Sequence, residues 1–286
     1  MKLFLVLLCL ALGAVSASAQ GELALQRRNC PQFWYSFNGR CYKYIATKMT
    51  WIDAELYCVS QGANLVSIHS QEEENFVKFL IRNFDLAEGV NWIGLTDAQR
   101  NGAWLWSDGS KFNFRFWNRG EPNNAGGMLF LFMAALALGA ASPSDEKEML
   151  LWQGCCPESW YSFNGRCYKY IATKMTWIDA ELHCVSQGAN LVSIHSQEEE
   201  NFVKHLIRSF DPADGVKWIG LTDCQKNGAW LWSDGSKFDF KFWNTGEPNN
   251  YQGSEDCVQT NWGKNKKWND IKCSYEYAFV CATRSI

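Results

Sequence analysis

Residues 247–257 read EPNNYQGSEDC and residues 268–273 read WNDIKC, and these two stretches decide how the chain is interpreted. Glu247 and Asn249 lie two positions apart, so in an extended segment both side chains point the same way. The proline between them fixes the backbone and permits a cis peptide bond. Two oxygen-bearing side chains are therefore aimed at one point.

Further oxygen-bearing side chains follow in the same region, and calcium prefers roughly six to eight oxygen ligands. We predict a calcium site with these ligands: Glu247, Asn249, Glu255, Asn269 and Asp270. Such a shell leaves room for two neighbouring hydroxyls of a sugar ring, because carboxylates accept from a hydroxyl and amide groups donate to it. Taken singly, each residue is more simply part of a polar surface loop. Their joint spacing favours the ion and the sugar.

Two motifs, EPN and WND, together with WIGL at residues 218–221, resemble the C-type lectin-like domain. The resemblance runs from Cys156 to Cys281. It implies that the five residues named above are the principal calcium and carbohydrate ligands, and that EPN goes with mannose-type sugars. It also maps a second calcium position onto the following residues: Asp223, Asn227, Asn250, Glu255 and Asp256. Because amides stand where acidic ligands are common, we expect that second site to be weak or absent.

Local signals indicate an α+β module. Thr176 can cap one helix, and the capping box that begins at Ser196 starts another, with strand-like runs on either side. The segment 222–256 is long, irregular and rich in Gly, Asn, Asp and Ser, which is typical of a functional loop. The resemblance therefore implies a C-type lectin-like fold with two helices, small antiparallel sheets, a long irregular calcium-binding loop and stapling disulfides.

The chain contains a repeat at a shift of 126 positions. Residues 30–124 match residues 156–250 without a gap, and 13 of the 95 positions differ. The first copy is interrupted immediately after this match, so nothing in it corresponds to residues 251–286. Glu121 and Asn123 therefore lack the other predicted ligands, and we expect one competent site per chain.

The amino terminus has the charged, apolar and small-residue regions of a signal peptide, which predicts a secreted, extracellular protein. We divide the chain into a signal peptide at 1–19, a truncated module at 20–124, a linker at 125–147 and a complete module at 148–286. The linker's apolar run at 128–141 is too short for an ordinary membrane span of about 20 residues. We favour a relict signal peptide there, with a buried strand or plain linker as the alternative.

Twelve cysteines, of which all but Cys9 follow the predicted signal peptide, indicate an oxidising compartment and a disulfide framework. The resemblance implies three bridges in the complete module: Cys156–Cys167, Cys184–Cys281 and Cys257–Cys273. Cys155 and Cys224 remain and can pair, since both are absent together from the first copy.

In the first copy, Cys30 can bridge Cys41, and Cys58 has no partner in its own copy. An exchange of Cys58 for Cys184 as the partner of Cys281 is an alternative, although the contiguous module should win. An unpaired thiol in a secreted chain also invites intermolecular bonding.

Composition argues against other functions. A net charge of −3 gives no reason to expect nucleic acid, and the four histidines form no HExxH site. The chain also lacks a GxSxG nucleophile turn, so we expect no enzyme. The expected partners are glycans or glycoproteins, with no stable membrane span, and the implied role is innate defence. A homo-oligomer, including a disulfide-linked one, stays open.

The main rival is an ice-binding role or a sugar-independent protein-binding role, because the extra cysteines also resemble fish ladderlectins and type II antifreeze proteins. The dense charge around the predicted calcium site favours the lectin. We expect four tryptophans to be core residues: Trp177, Trp218, Trp230 and Trp232. Trp262 is the candidate for sugar contact. The cluster at 264–267 is read as a solvated loop, with a contact for acidic glycans as the alternative.

Overall fold

The computed structural model describes residues 30–85, 89–123 and 156–283. The predicted signal peptide at 1–19 and the apolar segment within 125–147 lie outside these residues. The two parts of the chain that are related by the repeat form two modules.

The first module has two short hairpins and two helices. Its elements are β1 (Tyr35–Phe37), β2 (Arg40–Tyr42), α1 (Trp51–Ser60), α2 (Gln71–Phe84), β3 (Leu95–Thr96) and β4 (Leu105–Trp106). The pairs β1–β2 and β3–β4 are antiparallel. Within the described residues, this module has no counterpart of the three carboxyl-terminal strands of the second module.

The second module repeats this order and then completes it. Its elements are β5 (Tyr161–Phe163), β6 (Arg166–Met175), α3 (Trp177–Ser186), β7 (Asn190–Leu191), α4 (Gln197–Phe210), β8 (Lys217–Thr222), β9 (Leu231–Trp232), β10 (Cys257–Trp262), β11 (Lys267–Ile271) and β12 (Tyr277–Ala282). A short 3₁₀ turn covers Tyr251–Gly253.

Both predicted helices begin at the residues that the sequence indicates. The Thr176 side chain accepts a hydrogen bond from the Asp179 backbone N–H at the start of α3. Ser196 does the same for Glu199 at the start of α4, and an apolar face of α4 is buried. Each cap satisfies a backbone donor that has no partner inside the helix, which explains why the helix starts there.

One connected sheet of eight strands forms the centre of the second module, in the order β11-β10-β8-β12-β6-β5, with β7 paired to β12 and β9 paired to β8. All pairings are antiparallel except one, where β12 runs parallel to β8 at Phe279 and Trp218. The sequence indicated small antiparallel sheets. The final strand joins them because it lies between β8 and β6, a pairing of distant segments that local periodicity does not encode.

The second module builds its sheet and its larger apolar cluster from its own residues, 156–283, whereas Leu105 of the first module joins its smaller cluster. Trp177, Trp218 and Trp232 are fully or almost fully buried there, as predicted, and Trp230 packs against the cluster. Three disulfides staple it: Cys156–Cys167, Cys184–Cys281 and Cys257–Cys273. Because Cys281 is bonded to Cys184, the exchange with Cys58 does not occur.

The other cysteines in the described residues form one disulfide in the first module and leave two free thiols. Cys30 is bonded to Cys41 in the first module. Among the described residues, Cys58 is buried and forms no disulfide, and burial raises the pKa of its thiol to about 12, which lowers its reactivity. Cys224 is also free within the described residues. Its expected partner, Cys155, lies outside them.

No helix in the described ranges is long and apolar enough to cross a membrane.

Candidate functional site

The segment that carries the EPN motif runs alongside β11. Trp243 forms an isolated parallel bridge with Trp268. The Asn244 backbone N–H donates to the Trp268 carbonyl at 2.8 Å, and the Glu247 N–H donates to the Asn244 carbonyl at 3.1 Å. The Glu247–Pro248 peptide bond is cis. These contacts bring the EPN and WND motifs together, although 18 residues, 250–267, separate them in sequence.

Asp270 fastens the two motifs to each other. Its carboxylate accepts the Asn249 backbone N–H at 3.0 Å and the Asn250 N–H at 2.6 Å. The side chain is completely buried. Asn269 lies beside it and donates from Nδ2 to the Asp270 carbonyl at 2.7 Å. Asp270 therefore shapes the backbone of the loop as well as contributing a charge.

Glu255 closes the other side of the loop. Its carboxylate accepts the Tyr251 backbone N–H at 2.9 Å, and its own N–H donates to Asn250 Oδ1 at 3.1 Å. Asn250 adopts a left-handed conformation with φ of 43°, which asparagine tolerates better than most residues. The loop between 247 and 255 is thus held by side-chain to backbone hydrogen bonds.

The carboxylates at this site repel one another. Burial raises the pKa of Glu247 to about 7, and a hydrogen bond with Asp270 and the charges of Asp270 and Glu255 add to the effect. Burial and the charge of Asp270 also raise the pKa of Glu255 and of Asp256. Negative charge is therefore concentrated here, and the positive charge of Lys272 near Glu255 offsets it only in part.

Two carboxylate oxygens near this charge have no partner. Glu247 Oε2 and Asp223 Oδ1 are both buried and form no hydrogen bond with any described residue. A buried polar atom without a partner is costly, so it normally marks a site for a water or an ion. The unpartnered oxygens and the surplus negative charge fit a hard cation such as calcium, which binds oxygen ligands.

Carboxylates and amides alternate in this site. Among the described residues, no three His, Cys, Asp or Glu side chains form a group that could hold a metal by themselves. A calcium ion here would therefore need the amide oxygens of Asn249 and Asn269 as well as the carboxylates. That mixture is the donor set that the sequence predicts.

The residues mapped to a second calcium position are only partly assembled. Asp223 is buried, and its N–H donates to the Asp256 carbonyl at 3.1 Å. One of its carboxylate oxygens accepts the Gly228 N–H at 2.6 Å. Burial, together with the charges of Asp256 and Asp270, raises the pKa of Asp223 to about 6. Asn227 is exposed.

The first module carries the same triplet in a different setting. Its Glu121–Pro122 bond is also cis. Glu121, however, accepts hydrogen bonds from its own neighbour, with Asn123 N at 3.0 Å and Asn123 Nδ2 at 2.9 Å. The two copies therefore share the triplet and its cis bond but differ in the residues that contact the triplet.

The remaining residues predicted to contact a ligand are Trp262 and the lysines of the basic cluster at 264–267. Trp262 is 43% exposed, so its ring is accessible to a ligand. Lys266 Nζ donates to the Asp214 carbonyl at 2.6 Å, and the Lys267 ammonium lies 4.8 Å from the centre of the Phe242 ring. Only Lys264 of the basic cluster is exposed. Two of the three lysines thus have structural contacts, which favours the interpretation as an ordinary loop.

Sequence reasoning missed two features of this site. It assigned Asp270 a role as ligand and did not anticipate its hydrogen bonds to the loop backbone. It also passed over Asn244, whose buried Oδ1 has no hydrogen-bond partner. Asn244 precedes the cis-proline turn by four residues, and polar residues before such turns are the signal that could have identified it.

Several relatives of known sequence match about half of this chain, which is about the length of one module. The lactose-binding lectin l-2 of Anguilla japonica is 43% identical, over 55% of this chain and 95% of its own length. Ladderlectin of Oncorhynchus mykiss is 40% identical, over 51% of this chain and 77% of its own. The type-2 ice-structuring protein of Osmerus mordax is 38% identical, over 53% of this chain and 89% of its own.

A longer relative matches both modules together. C-type mannose receptor 2 of Homo sapiens is 30% identical over 91% of this chain, and the match spans only 19% of the receptor. The Lectin C-type domain family matches residues 47–130 and 173–283. This family consists of non-enzymatic carbohydrate-binding proteins that generally bind calcium. Since the two matches cover both modules and most of the chain, the protein belongs to the C-type lectin domain family.

Proposed function

We propose that this protein is a secreted, calcium-dependent lectin whose binding site lies in the complete module, residues 148–286. The observation that carries the proposal is Glu247: one of its carboxylate oxygens is buried without a partner, beside the charge of Asp270. Calcium would neutralise this charge and satisfy that oxygen.

Five residues would hold the ion: Glu247, Asn249, Glu255, Asn269 and Asp270. When bound, calcium supplies a fixed positive charge that attracts the oxygens of sugar hydroxyls. The carboxylates accept hydrogen bonds from the same hydroxyls, and the amide groups of the asparagines donate to them. A second, weaker ion would lie near Asp223 and Asp256.

The backbone contacts of Asp270 would orient the donors. By accepting two amides that follow the cis-proline, its carboxylate holds Asn249 next to the WND motif. Preorganised donors lose less entropy on binding than mobile ones. The chain's own residues therefore supply the positioning, and the ion supplies the charge.

The proposed ligands are mannose-type glycans, because the EPN triplet goes with such sugars in the family. One relative is named for lactose binding, so galactose-type sugars are the nearest alternative. The implied role is innate defence through microbial or host glycoproteins. The truncated module, residues 20–124, would contribute no site of its own, because its copy of the repeat has no counterpart of Glu255, Asn269 and Asp270.

Ice binding is the second candidate, since a relative is named an ice-structuring protein. An ice-binding surface is expected to be flat and sparsely charged, whereas the partly exposed carboxylates of Glu247 and Asp256 place charge at the surface of this loop. The lectin interpretation is therefore preferred.

One experiment separates these functions. The full chain is applied to mannose-agarose and to lactose-agarose, in calcium and again in excess chelator, and its thermal hysteresis is measured in parallel. The lectin proposal predicts calcium-dependent retention on mannose-agarose. Retention on lactose alone would overturn the sugar class. Hysteresis without retention on either resin would favour ice binding, and retention that survives the chelator would contradict the role of calcium.

A further inference from the structure

Hydrogen bonds between the two modules come in an equivalent pair. Asn64 Nδ2 donates to the Gly235 carbonyl at 2.8 Å. Asn190 Nδ2 donates to the Gly109 carbonyl at 3.0 Å. The repeat offset of 126 positions makes Asn64 equivalent to Asn190 and Gly109 equivalent to Gly235. Each bond is therefore the image of the other with the two copies exchanged.

Ion pairs between the modules obey the same exchange. Arg100 Nη1 lies 2.7 Å from Asp179 Oδ1, and Lys226 Nζ lies 3.0 Å from Asp53 Oδ1. Arg100 is equivalent to Lys226 and Asp53 to Asp179. The basic residue changes type between the copies, yet its charge and its partner are kept.

Apolar contacts follow the same rule. Leu105 of the first module belongs to the buried cluster that contains Trp177 of the second. Leu231, its equivalent, packs against the cluster that contains Trp51 of the first. Polar and apolar contacts are thus both reciprocal, which is the property of an interface built around a twofold axis.

Close approach of the two backbones depends on glycine. A Cβ added at Gly109 would lie 2.7 Å from the Asp234 Cα. A Cβ added at Gly235 would lie 2.7 Å from Asn64 Nδ2. Both distances are shorter than real Cβ contacts, so a larger residue at either position would push the modules apart.

The complete module contains both halves of every one of these contacts: Asn190 and Gly235 for the hydrogen bonds, and Asp179 and Lys226 for the ion pairs. Such a surface is self-complementary. We propose that the face of the complete module covered by the truncated copy is a self-association face, and that a second complete module binds there about a twofold axis.

This inference does not depend on the sugar or the ion. In the full chain, the truncated copy occupies the face and is tethered to it, which gives it a large advantage in effective concentration over a second molecule. A complete module without the truncated copy would instead pair with its own kind. The resulting dimer would carry two complete EPN and WND loops, so it would bind a multivalent ligand with avidity.

Sedimentation equilibrium of the isolated complete module, residues 156–283, tests the proposal. The module has its own sheet, core and disulfides, so it can be studied alone. Cys224→Ala provides the background, because the first copy has Ala98 at the equivalent position and adventitious disulfides are then avoided. We expect a reversible dimer.

Two glycine variants provide a matched comparison. Gly235→Ala should raise the dimer dissociation constant by about tenfold or more, because its Cβ has no room. Gly228→Ala is the control, because Gly228 has nearly the same φ, 78° against 76°, while nothing lies within 4 Å of an added Cβ. Both variants carry the same kind of backbone strain, and only one meets the interface.

Charge reversal gives a second, independent readout. Asp179→Lys should weaken the dimer several-fold, and adding Lys226→Asp should restore it, because the pair is reversed in both symmetric contacts. A module that stays monomeric at every concentration would overturn the proposal. So would a dimer whose dissociation constant is the same in Gly235→Ala and Gly228→Ala, or one that the double charge reversal does not restore.

Discussion

Replacing Glu247 by glutamine tests the proposed calcium site with a minimal change of shape. The substitution keeps the size of the side chain and removes its charge. Burial and the neighbouring carboxylates raise the pKa of Glu247 to about 7, so its charge is already unfavourable without an ion. We therefore expect Glu247→Gln to keep or raise the stability of the metal-free module while losing its response to calcium.

Coulomb attraction sets the size of the loss. Calcium–oxygen distances in proteins are roughly 2.4 Å. At that distance, a dication and a unit negative charge attract each other by about 3 kcal/mol even at the dielectric constant of water. A loss of about 3 kcal/mol weakens calcium binding by about a hundredfold.

Thermal unfolding in saturating calcium and in excess chelator measures this change. At a calcium concentration about a hundred times the dissociation constant, the ion stabilises the wild type by about 2.7 kcal/mol. For a module of this size, that corresponds to a Tm shift of about 10 °C. In Glu247→Gln, the same calcium concentration should shift the Tm by only about 2 °C.

Glu121→Gln in the first copy is the matched control. Glu121 lies in the same triplet with the same cis bond, but it has its hydrogen-bond partners within that triplet. The control should keep the full calcium shift. A full shift in Glu247→Gln, or its loss in Glu121→Gln, would refute the assignment of the site.

Four further predictions concern Asp270, the pH dependence at Glu247, Trp262 and the Cys155–Cys224 pair. Asp270→Ala removes the two hydrogen bonds that the loop amides donate to this carboxylate. Denaturant titration should show the free energy of unfolding of the metal-free module lowered by about 3 kcal/mol. An unchanged value would contradict the role of Asp270 in holding the loop backbone. The pKa of Glu247 is raised from an ordinary 4.5 to about 7, so its protonation stabilises the folded metal-free form at low pH. This stabilisation is lost as the pH rises through about 7, and calcium then no longer competes with a proton for the carboxylate. The difference in Tm between calcium and chelator should therefore widen from about pH 5 to about pH 8, and a constant difference would oppose this. Trp262→Ala should lower mannose affinity by about tenfold without changing calcium affinity, and glycan titration of the variant decides whether the exposed ring contacts sugar. Disulfide mapping by mass spectrometry should find Cys155 bonded to Cys224, and a free thiol at Cys224 would dismiss that pair.

Features carried by short segments could be predicted from the sequence. The caps at Thr176 and Ser196 are local, because each side chain bonds a backbone N–H three residues further along the chain. The EPN and WND motifs are equally compact, and the structure brings them together, since the Asp270 carboxylate accepts the Asn249 N–H. Their meaning as a calcium site remains a prediction.

Features that depend on distant segments could not be predicted in this way. The pairing of β12 with β6 joins residues more than a hundred positions apart in sequence, and no periodicity encodes that choice. The clamp formed by Asp270 depends on where the loop backbone passes. The face between the modules depends on surface shape, and its only trace in the sequence is an Asp-Gly pair at 108–109 and again at 234–235, which indicates a turn and says nothing about a partner.

Calorimetric titration of the full chain with calcium tests the central claim most directly. The account predicts uptake of one tightly bound ion per chain, with an affinity that Glu247→Gln lowers by about a hundredfold and that Glu121→Gln leaves unchanged. A titration with no calcium uptake by the intact chain would contradict it.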